Sequence, residues 1–366
     1  MSRPVHKIAL VNLRRKAIAS AGLGPAMLAF ALAPAAAAAD PAASPASAAS
    51  TSTTPAGTSA PSPTATGTQP VVPAVAGRMR IALPGIGARE PFALTGERVV
   101  FEGAVAPYVA GQQVTVHIYR NGHIVRTSTV GVSAANHHRS GRFRVSYVSG
   151  KTGVVQAVAV HEPTTAMRLF AAGSDKVKVI SPNLSTGTRG EAVRIMQRRL
   201  GALHYAVPQT GYFDEATADA VIAYRKMTGL ARVDYTDAGM FRRLRRGDGA
   251  FHVRFPRDGR HMEANLQLQV LVEVEPHGRV ANIYTMSSGK PSTPTVLGHF
   301  AVYRKEPGVN SELMYDSNYF ISGYAIHGYP EVPTYAASHG CLRVPYLDAP
   351  ALFAWIRIGT VVDVYN

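Results

Sequence analysis

The sequence predicts a multidomain chain: an antiparallel β-sandwich, then a small three-helix bundle, then a mainly-β domain that carries the only cysteine. Three observations lead there. Short apolar runs of period two, broken by turn residues, fill residues 77–181. Apolar positions three and four apart fill 182–247. Strand-like runs return over 252–366, where Cys341 stands in Ser338-His339-Gly340-Cys341-Leu342-Arg343.

Residues 1–39 read as a signal peptide. Arg3, Lys7, Arg14, Arg15 and Lys16 precede a weakly apolar stretch over 17–32, then Pro34 and an alanine run to Ala39. A basic start, a short apolar region and small residues at a cleavage point mark an export signal, with Ala39-Asp40 the preferred cut. The alternative is an uncleaved N-terminus acting as a membrane tether. Gly22, Gly24 and Pro25 make the segment soft for a bilayer core that asks for about 20 firmly apolar residues. Residues 40–76 are almost wholly Ala, Pro, Ser, Thr, Gly and Val. That composition buries too little apolar surface to offset its ordering entropy, so a disordered linker that supplies reach is expected. No later stretch is apolar enough to span a membrane.

The net charge is +15, and the five basic residues before Asp40, with no acid among them, leave +10 on the exported part. A basic protein outside the cell meets wall polymers and lipid headgroups, and the compartment excludes nucleic acid as a partner. Charge alone does not choose among the rest.

In 77–181, Val99 to Gly103, Gln113 to Tyr119, and His123 to Val125 read as strand, strand and, across the Asn121-Gly122 turn, a third strand. Gly141 to Tyr147, Val154 to Val160 and Lys176 to Ile180 continue the series. About seven short strands in about 100 residues is the profile of an antiparallel sandwich. It resembles the immunoglobulin-like spacers of exported bacterial proteins, which implies a positioning role. His117, His123, His137, His138 and His161 are scattered and read as surface or strand residues.

In 182–247, Val193, Met196, Gln197 and Leu200 share one helix face. Asp214 and Glu215 open a second helix, where the dipole favours acids, and Gly229 ends it. A third falls near Thr236 to Leu244. The spacing of Gly187, Arg189-Gly190, Val193, Gln197, Leu200, Gly211, Phe213, Thr217 and Gly229-Leu230 resembles the peptidoglycan-binding domain of wall hydrolases. It departs at Tyr224-Arg225, where that family usually has Phe-Gln. The resemblance implies glycan or stem-peptide affinity; a helical spacer that binds nothing is the alternative.

In 252–366, Leu266 to Val274 and Val280 to Tyr284 form a predicted hairpin around His277-Gly278. Loop 287–294, a strand from Gly298, a helix from Ala349 and a last strand from Thr360 follow. About 110 residues suffice for an independent core. A single cysteine forms no internal disulfide. Cys341 is therefore a reactive thiol, a metal ligand, an intermolecular disulfide partner or a buried small residue. His327-Gly328 lies upstream and His339-Gly340 adjoins it, a setting for a base and for backbone N–H groups near a reacting carbonyl.

Gln269-Val270-Leu271, Ser288-Gly289, Thr293-Pro294, Gly298-His299-Phe300, Ala325-Ile326-His327-Gly328 and the Cys341 motif, in this order, resemble the L,D-transpeptidase (YkuD-type) catalytic domain. The resemblance makes Cys341 the nucleophile and His327 its base, oriented by the Gly328 carbonyl. Ser338 and His339 shape the pocket, and the N–H groups of Gly340 and Cys341 face the oxyanion. Arg343, the Arg variant of an Asn/Arg position, contacts a substrate carboxylate or fixes the loop. Tyr315 is a further candidate binding residue within the group Tyr315, Tyr319, Tyr324, Tyr329 and Tyr335.

The implied reaction cleaves a peptidoglycan tetrapeptide stem after its L-centre, releases D-Ala and passes the acyl group to a neighbouring amine as a 3→3 crosslink. The implied protein is monomeric, needs no cofactor or metal, and works in the exported wall space. Three alternatives stay open: an L,D-carboxypeptidase with water as acceptor, a zinc peptidase using His327, His339 and Cys341, and an inactive wall-binding scaffold.

Overall fold

The computed structural model describes residues 74–86 and 90–366. The signal-peptide reading of 1–39 and the linker reading of 40–73 lie outside the described residues. The last of the expected linker is already paired: the Val75 N–H donates to the Ala166 carbonyl at 2.9 Å, and Arg168 N–H returns a bond to Val75 at 3.0 Å.

The first unit holds β1 (Arg78–Ala82), β2 (Phe92–Leu94), β3 (Arg98–Ala106), β4 (Gln113–Arg120), β5 (His123–Gly131), β6 (Ser133–Ala135), β7 (Ser140–Val148), β8 (Gly153–His161), β9 (Phe170–Gly173) and β10 (Val177–Ile180). One sheet runs β1-β3-β7-β6; the other runs β2-β10-β8-β4-β5, with β9 also on β8. Val99, Phe101, Val114, Val116, Ile118, Val145, Val155 and Ala157 form one apolar core. The alternation in β3, buried at Val99, Phe101, Gly103 and Val105, is what made these strands legible. The four short strands β1, β2, β6 and β9 carry too few residues for a periodic signal.

Three helices follow: α1 (Glu191–Ala202), α2 (Glu215–Met227) and α3 (Ala238–Arg246). Asp214 caps α2 by accepting the Thr217 N–H, and Asp237 caps α3 by accepting the Met240 N–H. The predicted third helix therefore starts two residues late. Gln197 lies on the buried face as a polar hub, donating to the Tyr212 carbonyl at 2.9 Å and Thr217 Oγ1 at 3.0 Å and accepting the Gly211 N–H at 2.8 Å. Arg225, the departure from the usual Gln, is buried and donates to the carbonyls of Tyr235 at 3.0 Å and Ala231 at 3.1 Å. It ties the loop before α3 back to α2.

The helices do not keep a core to themselves. Val193, Met196, Leu200, Val221, Tyr224 and Phe241 share one cluster with Phe92, Leu94 and Ile180 of the first unit and with Val270, Val272, Val274 and Ile283 of the next. A half-buried ion pair between Arg245 and Glu97 (2.8 Å) adds a polar joint to the first unit.

The last domain holds β11 (His261–Asn265), β12 (Val270–Glu275), β13 (Arg279–Thr285), β14 (Gly298–Ala301), β15 (Arg304–Val309), β16 (Tyr315–Ile321), β17 (Tyr324–Tyr329), β18 (Leu342–Pro345), α4 (Ala349–Trp355) and β19 (Val361–Tyr365). Two sheets, β13-β12-β11-β19-β14 and β15-β16-β17-β18, face each other across Met262, Leu271, Met286, Phe320, Ile326, Leu342, Val344, Leu352 and Val362. The sequence expectation of one strand from Leu266 to Val274 is corrected: β12 starts at Val270, and 266–269 is the turn from β11. Asn265 Oδ1 accepts the Leu268 N–H at 2.8 Å, and Gln269 takes φ 61. β12 hid this boundary because both its faces are buried. Val270, Val272 and Val274 meet the helices while Leu271 meets the catalytic core, so it reads as an unbroken apolar run.

Among the described residues, no helix is long and apolar enough to cross a membrane.

Candidate active site

The site is built where β17 and β18 run parallel. Their register sets His327 beside Arg343 and Gly328 beside Val344, and Cys341 sits at the residue before β18 begins. His327, Cys341, Ser338, His339 and Arg343 line one cavity of about 290 Å³ with Glu312, Met314 and Tyr329. A larger, mostly apolar cavity of about 410 Å³ between β10 and α1 is lined by neither cysteine nor histidine.

His327 is buried, and its Nδ1 lies 2.9 Å from the Gly328 carbonyl, the contact expected from the sequence. That carbonyl accepts only from a protonated Nδ1, which leaves Nε2 as the lone-pair nitrogen. Burial lowers the His327 pKa to about 4, with the Gly328 carbonyl opposing and the Arg343 charge assisting. Burial pushes the Cys341 thiol up from its ordinary value, against the Ala325 backbone and Arg343, which pull it down. The resting pair is therefore neutral thiol and neutral imidazole, with a positive charge close by. Gly328 is small for packing reasons: a Cβ there would lie 2.8 Å from that of Ala349 on α4.

Loop 287–295 carries the nucleophile loop from below. Ser287 exchanges backbone bonds with Arg343 at 2.9 and 3.0 Å, and the Ser288 carbonyl accepts the N–H groups of Ala337 and Ser338 at 2.8 and 2.9 Å. Thr293 Oγ1 donates to the Ser338 carbonyl at 3.1 Å and Thr295 Oγ1 to the Gly340 carbonyl at 2.8 Å. Within the loop, Ser338 Oγ accepts the Gly340 N–H at 3.0 Å and donates to the Cys341 carbonyl at 2.7 Å.

Two sequence expectations change here. The Gly340 N–H, expected at the oxyanion, is engaged by Ser338. Gly340 serves geometry instead: its φ is +124, and a Cβ would sit 2.4 Å from the Tyr324 ring. Gly340→Ala is expected to cost about 1–3 kcal/mol, read as a lower melting temperature, because strain and clash coincide. Tyr315, expected to touch substrate, pairs in register with Gly328 and stacks on Tyr346 with centroids 5.2 Å apart. It packs behind the site and does not line the cavity.

Arg343 lies over the Tyr329 ring at 3.8 Å, which fixes its guanidinium at the cavity wall. His339 is exposed, and its Nε2 lies 3.1 Å from Lys290 Nζ, which donates to it. Lys290, Glu312, Met314 and the platform threonines escaped sequence reading. Only the Ser288-Gly289 and Thr293-Pro294 pairs hinted at them. Among the described residues, His327, His339 and Cys341 do not bring donor atoms together as a metal-holding group; Asp258, His299 and Asp363 do so at the β14–β19 pair.

Residues 259–364 match the L,D-transpeptidase catalytic domain family, YkuD, and residues 189–234 match a peptidoglycan binding domain family. A solved L,D-transpeptidase from Xylanimonas cellulosilytica is 33% identical over 50% of this chain and 97% of its own, with a TM-score of 0.47. One from Stackebrandtia nassauensis is 19% identical over 50% and 96%, with a TM-score of 0.33. An L,D-transpeptidase mutant from Enterococcus faecium is 28% identical over 29% and 50%, with a TM-score of 0.26. No protein of curated function matches the chain. Residues 259–364 are a YkuD L,D-transpeptidase catalytic domain, preceded by a peptidoglycan-binding domain over 189–234. Members with this catalytic domain are acyltransferases, and the domain pair supports a transpeptidase role at the cell wall.

Proposed function

We propose that this protein forms 3→3 peptidoglycan crosslinks through a Cys341 thioester. The observation that carries the reading is the placement of His327 and Cys341 on one cavity, with the His327 Nδ1 committed to Gly328 and Nε2 left as base. His327 Nε2 takes the thiol proton as Sγ bonds to the carbonyl carbon of the stem's L-centre. The Cys341 N–H is the amide we assign to the oxyanion. Collapse breaks the amide, and His327 returns its proton to the departing D-Ala amine. A neighbouring stem amine then attacks the thioester, gives its proton to His327, and releases Cys341 as the thiol.

Arg343 and Lys290 supply positive charge for the stem carboxylates, and Arg343 also favours ionisation of Cys341. The strand-rich unit β1–β10 is read as an immunoglobulin-like spacer. Export through 1–39, reach through 40–76 and work as a monomer in the wall space complete the proposal, with peptidoglycan as sole partner.

Incubating the purified protein with a disaccharide tetrapeptide and weighing the products tests the reaction. Crosslinked dimers with released D-Ala are expected. Tripeptides alone would assign a carboxypeptidase, and unchanged substrate would refute the proposal.

A further inference from the structure

Lys226 belongs to α2 of the peptidoglycan-binding domain, yet its ammonium lies inside the catalytic domain. The residue is 2% exposed. Nζ donates to the carbonyls of Gln269 at 2.9 Å and Met286 at 2.8 Å and to Thr285 Oγ1 at 2.7 Å. Burial lowers the Lys226 pKa to about 7, and the three oxygen acceptors oppose that by using all three N–H bonds of the ammonium. If the position only needed filling, an apolar side chain of similar length would do so without the desolvation cost.

Its acceptors lie where the active-site platform begins. Met286 leads directly into Ser287, which pairs with Arg343, and Ser288, which holds Ala337 and Ser338. Gln269, whose carbonyl Lys226 grips, reaches the same platform through its own amide. Oε1 accepts the Ser288 N–H at 2.9 Å and Nε2 donates to Ser288 Oγ at 2.7 Å. A second arm of the same domain reaches the far end of the nucleophile loop. Arg232 donates to the Thr334 carbonyl at 2.6 Å, and the next carbonyl, that of Tyr335, accepts from Ser287 Oγ at 2.7 Å.

We propose that Lys226 is a positioning residue for Cys341 acylation: the peptidoglycan-binding domain supplies the ammonium that fixes the Met286–Ser288 platform beneath the nucleophile loop. The wall-binding helix is thereby a working part of the active site. Without the ammonium, the Met286 carbonyl and Thr285 hydroxyl lose a buried donor, and the segment relaxes to satisfy them. Ser338 and Arg343 move with it, and misplacement by about 1 Å is enough to slow an oriented reaction about 100-fold. The inference rests on Cys341 being the acylated residue.

The test is acylation of the whole protein by a carbapenem, followed by intact mass. This probe is soluble and small, so wall affinity does not enter. Wild type is expected to gain one adduct at Cys341. Lys226→Met is expected to lower the limiting acylation rate about 10- to 100-fold while the half-saturating concentration stays within about twofold. Lys305→Met serves as a stability control. It removes an ammonium that donates to the Phe353 and Ile356 carbonyls beside α4, and it should leave the limiting rate unchanged. If Lys226→Met does not fold, Thr285→Val removes one acceptor alone and should lower the limiting rate about 2- to 5-fold. A folded Lys226→Met, or in its place a folded Thr285→Val, with an unchanged limiting rate overturns the inference. So does an equal loss in Lys305→Met, which would mark general destabilisation. A wild type that takes no adduct overturns the Cys341 reading itself and the inference with it.

Discussion

Cys341→Ala is expected to abolish both the carbapenem adduct and crosslinked dimers, a loss of at least about 10⁴-fold, while the fold stays intact. The side chain does little structural work. Ser338 Oγ binds the Cys341 carbonyl, which alanine keeps, and the thiol's own contact with the Gly323 carbonyl is long, 3.8 Å. Its apolar neighbours are Met314, Tyr319 and Ala325 at the edge of a small cluster. Removing one half-buried sulfur there should change stability by no more than about 1 kcal/mol. Activity and melting temperature should therefore separate cleanly. A Cys341→Ala protein that still made dimers would return the catalytic domain to the status of a scaffold for chemistry done elsewhere.

For His327→Gln, acylation is expected to fall about 10²- to 10⁴-fold, because the amide fills the site and takes no proton. The same variant reports the buried imidazole through acid stability. His327 has a folded pKa of about 4 against an ordinary 6.5. Between those values the unfolded chain binds a proton that the folded chain refuses, so acid favours unfolding. The contribution is fully present above about pH 6.5 and is lost as pH falls to about 4, up to roughly 3 kcal/mol. Denaturant melts of wild type at pH 7.5 and pH 5 should show this loss, and His327→Gln should flatten it. Wild-type acylation should stay level from about pH 5 through neutrality, since the base is already neutral there. A rate that falls by half near pH 6.5 would contradict a buried, unprotonated His327.

Much of the site was legible because its chemistry is written in contiguous residues. A lone Cys341 between His339-Gly340 and Arg343, with His327-Gly328 upstream, marks the proposed nucleophile, base and positive neighbour, and the structure sets them on one cavity. The helices were legible for a similar reason: Asp214 and Asp237 cap them locally, and their apolar positions repeat within a few residues. Expectations failed where a residue's meaning depended on partners remote in sequence. Proximity to the motif points to Tyr315 as a binding residue, but the β16–β17 register turns it onto Gly328 and Tyr346. The motif makes Gly340 an oxyanion donor, whereas the fold commits its N–H to Ser338 Oγ. The start of β12 is hidden in the sequence because its valines face helices and its leucine faces the catalytic core, which erases the period-two signal.

By itself, the sequence determined that a peptidoglycan-binding domain precedes the YkuD domain, the strand and helix character of each, and which two residues to propose as the reacting pair. These follow from composition, periodicity and motif, which are properties of neighbouring residues. Tertiary structure alone decided that His327 keeps Nε2 free, that loop 287–295 supports Cys341, and that Lys226 crosses from one domain into the other. Burial, strand register and hydrogen-bond partners arise only when distant segments exclude water together. The charge on Lys226 and the proton on His327 take their roles from that shared exclusion.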